Sequence, residues 1–118
     1  MTYVDGVVVA VATDKREAYV EQSKLVGALF TEYGALRVVD NWGTDVPEGK
    51  LTSFPMAVKR EPHETVVFGW VEWPSKSVRD EAWEKIMADP RMAQIDMPFD
   101  GKRMIYGGFE TIMDVRRA

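Results

Sequence analysis

A chain of 118 residues, 46% hydrophobic and 29% charged, is long enough for one packed domain and too ordinary in composition for a disordered or fibrous protein. It has no cysteine, which excludes disulfides, thiolate nucleophiles and sulfur-ligated metal, and which fits a cytoplasmic location. The net charge is −4, the Lys-Arg pairs at 15–16, 59–60 and 102–103 are scattered among acids, and no run approaches the ~20 apolar residues of a membrane span, so neither nucleic acid nor membrane is an expected partner. Tyr3–Ala12, YVDGVVVAVA, is short and β-branched with no basic leader, which predicts a first strand rather than a signal peptide. Asp14, followed three residues later by Glu17, resembles a capping box opening a helix. The apolar stripe of that helix would be Ala18, Gln22, Leu25, Leu29 and Tyr33, with Gly34 as its C-terminal cap.

Ala35–Trp42 predicts a second strand, after which Gly43, Pro47, Gly49, Pro55 and Pro62 punctuate a long connection over 43–63. Connections of this length are often lids or interaction arms. Inside it, Phe54, Ala57 and Val58 behind Ser53 have the spacing of one short helical turn. Thr65–Trp73, TVVFGWVEW, predicts a third strand, and Pro74 with Ser75 or Ser77 opens a second helix reaching about Asp89. Val78, Ala82 and Ile86 would form its inner stripe, flanked by Trp83 and Met87, and Pro90 would end it. An irregular return then leads through an Asp100-Gly101 turn to a last strand over Arg103–Met113, interrupted at its centre by Gly107 and Gly108.

The order β-α-β-β-α-β predicts a single α+β domain over 1–118, a ferredoxin-like sandwich with antiparallel sheet order 4-1-3-2 and both helices on one face. VVVAVA and TVVFGWV are apolar at both parities, so the second face also needs a cover. Two helices cover one face only. A second copy, packed sheet against sheet in a homodimer, is the expected cover for the other.

His63 is the only histidine, so one chain cannot build a multi-histidine metal site, and no metal is expected. As a functional residue it would be a general base, and as a loop residue beside Pro62 and Glu64 it would be plain surface. The sheet order brings the starts of strands one and two near the ends of strands three and four, so Asp5, Arg37, Glu72 and Glu110 should gather at one edge. Carboxylates gathered this way raise one another's pKa, unless Arg37 neutralises them in a structural network. Phe68, Trp70 and Glu72 share a face of strand three, while Tyr106, Gly108 and Glu110 share a face of strand four. With Trp42 they could line a small-ligand pocket in which Glu72 and Tyr106 act on the ligand; the competing reading, with Trp73 included, is aromatic core. For the paired glycines the expectation is a dimer contact at Gly107 and a pocket opening beside Tyr106 at Gly108.

The segments YVDG, EYGALRVVDNWG, ETVVFGWVEWPSK, KIMADPRM and MPFDGKRMIYGGFE resemble the YbaA-like family of small bacterial proteins across nearly the whole chain. The resemblance implies a ferredoxin-like subunit of the dimeric α/β-barrel superfamily, whose members include cofactor-independent oxygenases and haem-associated enzymes, and it assigns no role to any residue. Some relatives carry names linking them to signal-recognition RNA. Phe68, Trp70, Tyr106 and Phe109 would serve as stacking platforms in that case, but the acidic balance and the lack of a basic, aromatic-interleaved face stand against it. The expected function is binding or metal-free processing of a small apolar or aromatic metabolite, with no cofactor. The alternative is a non-catalytic structural or protein-interaction module, and the course of residues 43–63 discriminates the two.

Overall fold

The structure, a computed structural model, describes residues 2–118. In chain order it contains β1 (Tyr3–Ala12), α1 (Arg16–Glu32), β2 (Arg37–Trp42), the short α2 (Phe54–Ala57), β3 (Glu64–Trp73), α3 (Lys76–Ala88), the single turn α4 (Pro90–Ala93) and β4 (Ile105–Glu110). The antiparallel sheet has the order β2-β3-β1-β4, which is 4-1-3-2 read from the opposite edge.

Strand register decides which side chains share a face, because directly opposed residues point the same way. Tyr3 opposes Trp73 and Val9 opposes Val67, so the odd-numbered residues of β1 and β3 face the helices. There Phe30 of α1 packs edge-on against Trp83 of α3 at 5.1 Å between centroids, above a floor of Val71 and Trp73, and Ala82 and Ile86 complete this core. A second cluster under the start of α1 joins Val9, Val11, Tyr19 and Val67.

The helix ends show how tertiary contacts modify local signals. Ser75 caps α3 as expected, accepting from the Val78 N–H at 3.2 Å. Asp14 does not cap α1: it lies in a 3-10 turn over Thr13–Lys15, and no side chain caps the helix that follows. Thr13 is tied to β3 by its N–H to His63 O at 2.9 Å and by its hydroxyl to that of Thr65 at 2.7 Å, and the chain must turn tightly from there. The buried side of α1 consequently runs through Tyr19, Leu29 and Phe30, while Leu25 is exposed. Gly34 ends the helix at φ +115°, a left-handed conformation that suits glycine. Pro90, expected to begin an irregular return, opens α4, with the Asp89 side chain accepting from the Arg91 N–H at 2.8 Å. β4 is shorter than expected, because Arg103 lies in the preceding turn over Gly101–Arg103 and its guanidinium reaches Glu64.

The face turned away from the helices is covered in part by the chain itself. Residues 43–63 fold back over one end of it: Val58 is completely buried against Val8, Ala10 and Val66, and Phe54 of α2 meets Phe68 edge-on at 5.7 Å. This corrects the inference that two helices are the only cover one chain supplies. The remaining end, around Val4, Gly6, Trp70 and Phe109, stays open.

Candidate functional site

Register separates the residues that sheet order alone would gather. Asp5 lies on the helix face, where its carboxylate accepts from Trp73 Nε1 at 2.9 Å, Trp83 Nε1 at 3.0 Å and Arg79 Nη2 at 2.6 Å. Glu72 opposes Val4, one position along, and therefore points to the open face. There it accepts from Trp70 Nε1 at 3.0 Å and lies 3.4 Å from Arg37 Nε. Arg37 thus neutralises Glu72 alone, and Asp5 is neutralised by Arg79. Glu110 opposes Tyr3 and Gly108 opposes Asp5, so Tyr106, Gly108 and Glu110 share the helix side of β4, across the sheet from Phe68, Trp70 and Glu72. The expected four-residue cluster and the single aromatic pocket are both divided by the sheet.

Of the paired glycines, only Gly108 serves a close approach. Gly6 and Gly107 oppose each other, and the Phe109 ring lies over both, 3.4 Å and 3.5 Å from where their Cβ atoms would stand. Gly108, on the opposite side, lies under the Tyr3 ring, whereas Tyr106 beside it is largely exposed. On the open face, Phe54, Phe68 and Trp70 form an edge-on aromatic row, and a groove of about 660 Å³ runs from Phe68, Trp70 and Glu72 to Phe109 and Met113.

His63 is exposed at the end of the long loop, its Nδ1 3.8 Å from Glu61 Oε2. Glu61, His63 and Glu64 can bring one ligand atom each within 4.8 Å of one another. Both Glu64 oxygens, however, accept from Arg103 at 2.7 Å, so the trio lacks a free third ligand. Arg103 and the Glu61 N–H hold the Glu64 carboxyl down at about 2.

A second pocket lies elsewhere, between α1 and the edge strand β2. It has a volume of about 540 Å³ and is walled by Arg16, Tyr19 and Ser23 from the helix and by Asp40 and Trp42 from the strand. Tyr19 and Ser23 are one turn apart and meet the inward parity of β2, Val38-Asp40-Trp42. Gly27 faces Val38 across the same wall, where a Cβ would stand at an ordinary 3.8 Å. Gly69 makes room for the Asp40 carboxylate, which a side chain at 69 would strike. Ser23 Oγ donates to Asp40 Oδ2, and the Arg16 guanidinium lies 5.5 Å from the Trp42 ring centroid. Burial, and then the negative Asp40 beside it, push the Tyr19 phenol above its ordinary range, so it keeps its proton and stays neutral beside that carboxylate.

Of the residues singled out in the sequence, only Trp42 belongs to this pocket. Tyr19, Ser23, Asp40 and Arg16 were missed. The available signal was Asp40, an acid on the helix side of the edge strand between Val38 and Trp42, where it is exposed.

Known proteins share both the sequence and the fold. Proteins from Escherichia coli K12 and Shigella flexneri, each named uncharacterized protein YbaA, are 60% identical over 116 residues, covering 97% of this chain and 99% of theirs. Among solved structures, an uncharacterized NIPSNAP domain protein from Burkholderia xenovorans aligns with a TM-score of 0.60 at 15% identity, covering 98% of this chain and 99% of that one. A dimeric ferredoxin-like protein from an uncultured marine organism gives the same TM-score of 0.60 at 9% identity, over 98% of this chain and 100% of the other. The two structural likenesses carry the fold, and the sequence matches carry the kinship. With residues 2–101 also matching the model described as protein of unknown function (DUF1428), this chain belongs to that family.

Proposed function

We propose that this protein is a homodimer that binds a small apolar or aromatic metabolite in the α1–β2 pocket and processes it without a metal. The observation that carries the reading is the pocket wall: a tryptophan ring, a buried neutral phenol and a carboxylate without a cationic partner among the described residues, around about 540 Å³. This pairs a surface for an apolar body with a neutral hydroxyl and a carboxylate that can accept a proton or a hydrogen bond. The dimer rests on the open face, where Phe68, Ile105 and Phe109 are exposed beside Trp70, an apolar patch of the kind that marks association. The shared fold with a dimeric ferredoxin-like protein supports the same assembly. In this reading Glu72 serves the seam, Tyr106 the β4 edge, and His63 the surface.

Native mass spectrometry of freshly purified protein tests both parts. A dimer that retains a small molecule, which Trp42→Ala releases, is the expected outcome. A monomer at micromolar concentration overturns the assembly. A ligand-free protein that no aromatic metabolite protects against heat overturns the binding function.

The interaction-module reading draws on Leu51, 96% exposed at the tip of the 43–63 connection. Phe54 and Val58 anchor that connection to its own sheet, so the ligand reading is preferred.

A further inference from the structure

Building on the proposed α1–β2 ligand pocket, we infer that it selects a small organic acid that also carries a hydroxyl group, with the carboxylate at Arg16 and the hydroxyl at Asp40. Two opposite charges in this pocket lack ionic partners. Arg16 lies over the Trp42 ring, and no described carboxylate lies within ion-pair distance of it, although Glu17 and Glu21 share its helix. Among the described residues no side chain accepts from its guanidinium, whose fork of N–H groups suits a carboxylate.

Asp40 has no Lys or Arg partner among the described residues; it receives the Ser23 hydroxyl and lies beside the Tyr19 phenol. A carboxylate offers about four lone-pair positions, so two hydroxyl neighbours leave capacity for a ligand donor. A ligand hydroxyl supplies such a donor. Asp40 and Trp42 are two residues apart on one strand, about 7 Å between their Cα positions, and the Arg16 guanidinium lies over the Trp42 ring, so a ligand meeting both charges must carry its acid and its hydroxyl at separate ends. Val20 and Val67 supply apolar wall between them.

The probes are 4-hydroxyphenylacetate, phenylacetate, which lacks the hydroxyl, and 4-hydroxyphenethyl alcohol, which lacks the carboxylate. Each is titrated into the full chain while amide shifts of residues 16–28 and 38–42 are followed. The hydroxy acid should bind at least about tenfold tighter than either analogue. Arg16→Met should remove its advantage over the alcohol, and Asp40→Ala its advantage over phenylacetate. If the probes shift pocket amides but the hydroxy acid has no advantage, the acid-plus-hydroxyl class is wrong while the pocket stands. If no probe shifts these amides, the ligand-pocket reading itself falls, and the selectivity with it. The wild-type comparison decides the matter even if a variant fails to fold.

Discussion

The Tyr3 ring lies over Gly108 across the β1–β4 pair, with Cε2 only 2.8 Å from where a Cβ at residue 108 would stand. Tyr3 is held there, packed on the main core with the Arg79 guanidinium 5.4 Å from its ring centroid. Gly108→Ala should therefore cost about 1–3 kcal/mol, even though alanine is ordinarily the better strand residue. Gly107→Ala is the internal comparison, because its Cβ would meet the Phe109 ring at an ordinary 3.5 Å. Removing backbone freedom from the unfolded chain should leave that variant neutral or slightly stabilised. Urea denaturation of the two variants checks the contrast, and equal midpoints would refute the Tyr3 explanation.

Asp5 is the point at which β1, β3 and α3 are tied together. Its carboxylate accepts from two indoles and from Arg79, and its side chain is only 13% exposed. Asp5→Ala strands those donors and a charge, for an expected loss of about 3–5 kcal/mol. Asp5→Asn keeps a carbonyl acceptor and should cost less. The near-ultraviolet circular dichroism of Trp73 and Trp83 should weaken in the alanine variant in step with the loss of stability. An Asp5→Ala protein as stable as the wild type would remove Asp5 from the structural account.

Glu64 and Arg103 supply a pH dependence whose sign is set by the carboxyl. The folded pKa of Glu64 is about 2, below its ordinary 4.5, because Arg103 and the Glu61 N–H stabilise the ionised form. The folded state thus binds its proton less readily than the unfolded chain. The resulting stability is present above pH 4.5 and is lost as pH falls from there toward 2, amounting to at most about 3 kcal/mol. The carboxylates of Asp89 and Asp100 are lowered too and share the same trend. The comparison is therefore between wild type and Glu64→Gln, by urea denaturation at pH 7, 4.5 and 3. The difference should be largest at pH 7 and shrink with acid; a constant difference would mean that the pair contributes packing rather than charge.

β1, β3 and α3 were legible in the sequence because each carries a strong local pattern: unbroken β-branched runs, and Ser75 placed before the Val78-Ala82-Ile86 stripe. Parity within each strand was legible too. The phase between strands was not: Glu72 opposes Val4 rather than Asp5, and a slip of one residue moves a side chain through the sheet. Likewise nothing local marks Val58 as the residue that covers Val8 and Ala10, since that burial depends on where the long connection returns. The α1–β2 pocket needed both kinds of information, the phase of Asp40 and the rotation of α1 that brings Tyr19 and Ser23 to it.

The open face makes the last prediction. Phe109 rests on the bare Gly6–Gly107 floor and is 61% exposed, so a charge at this position should be tolerated by the isolated subunit. In a dimer packed through that face the same charge would be buried without a partner, and Phe109→Glu should weaken association by at least about 30-fold. Tyr106 is the control: it is 77% exposed but lies on the helix side of the same strand, and Tyr106→Glu should leave association unchanged. Sedimentation velocity over a micromolar concentration series reads both variants against the wild type. Dissociation by Tyr106→Glu with Phe109→Glu still dimeric would move the contact to the helix side of β4. Because neighbours on a strand point to opposite faces, these two positions of β4 test which side of the sheet meets the second copy.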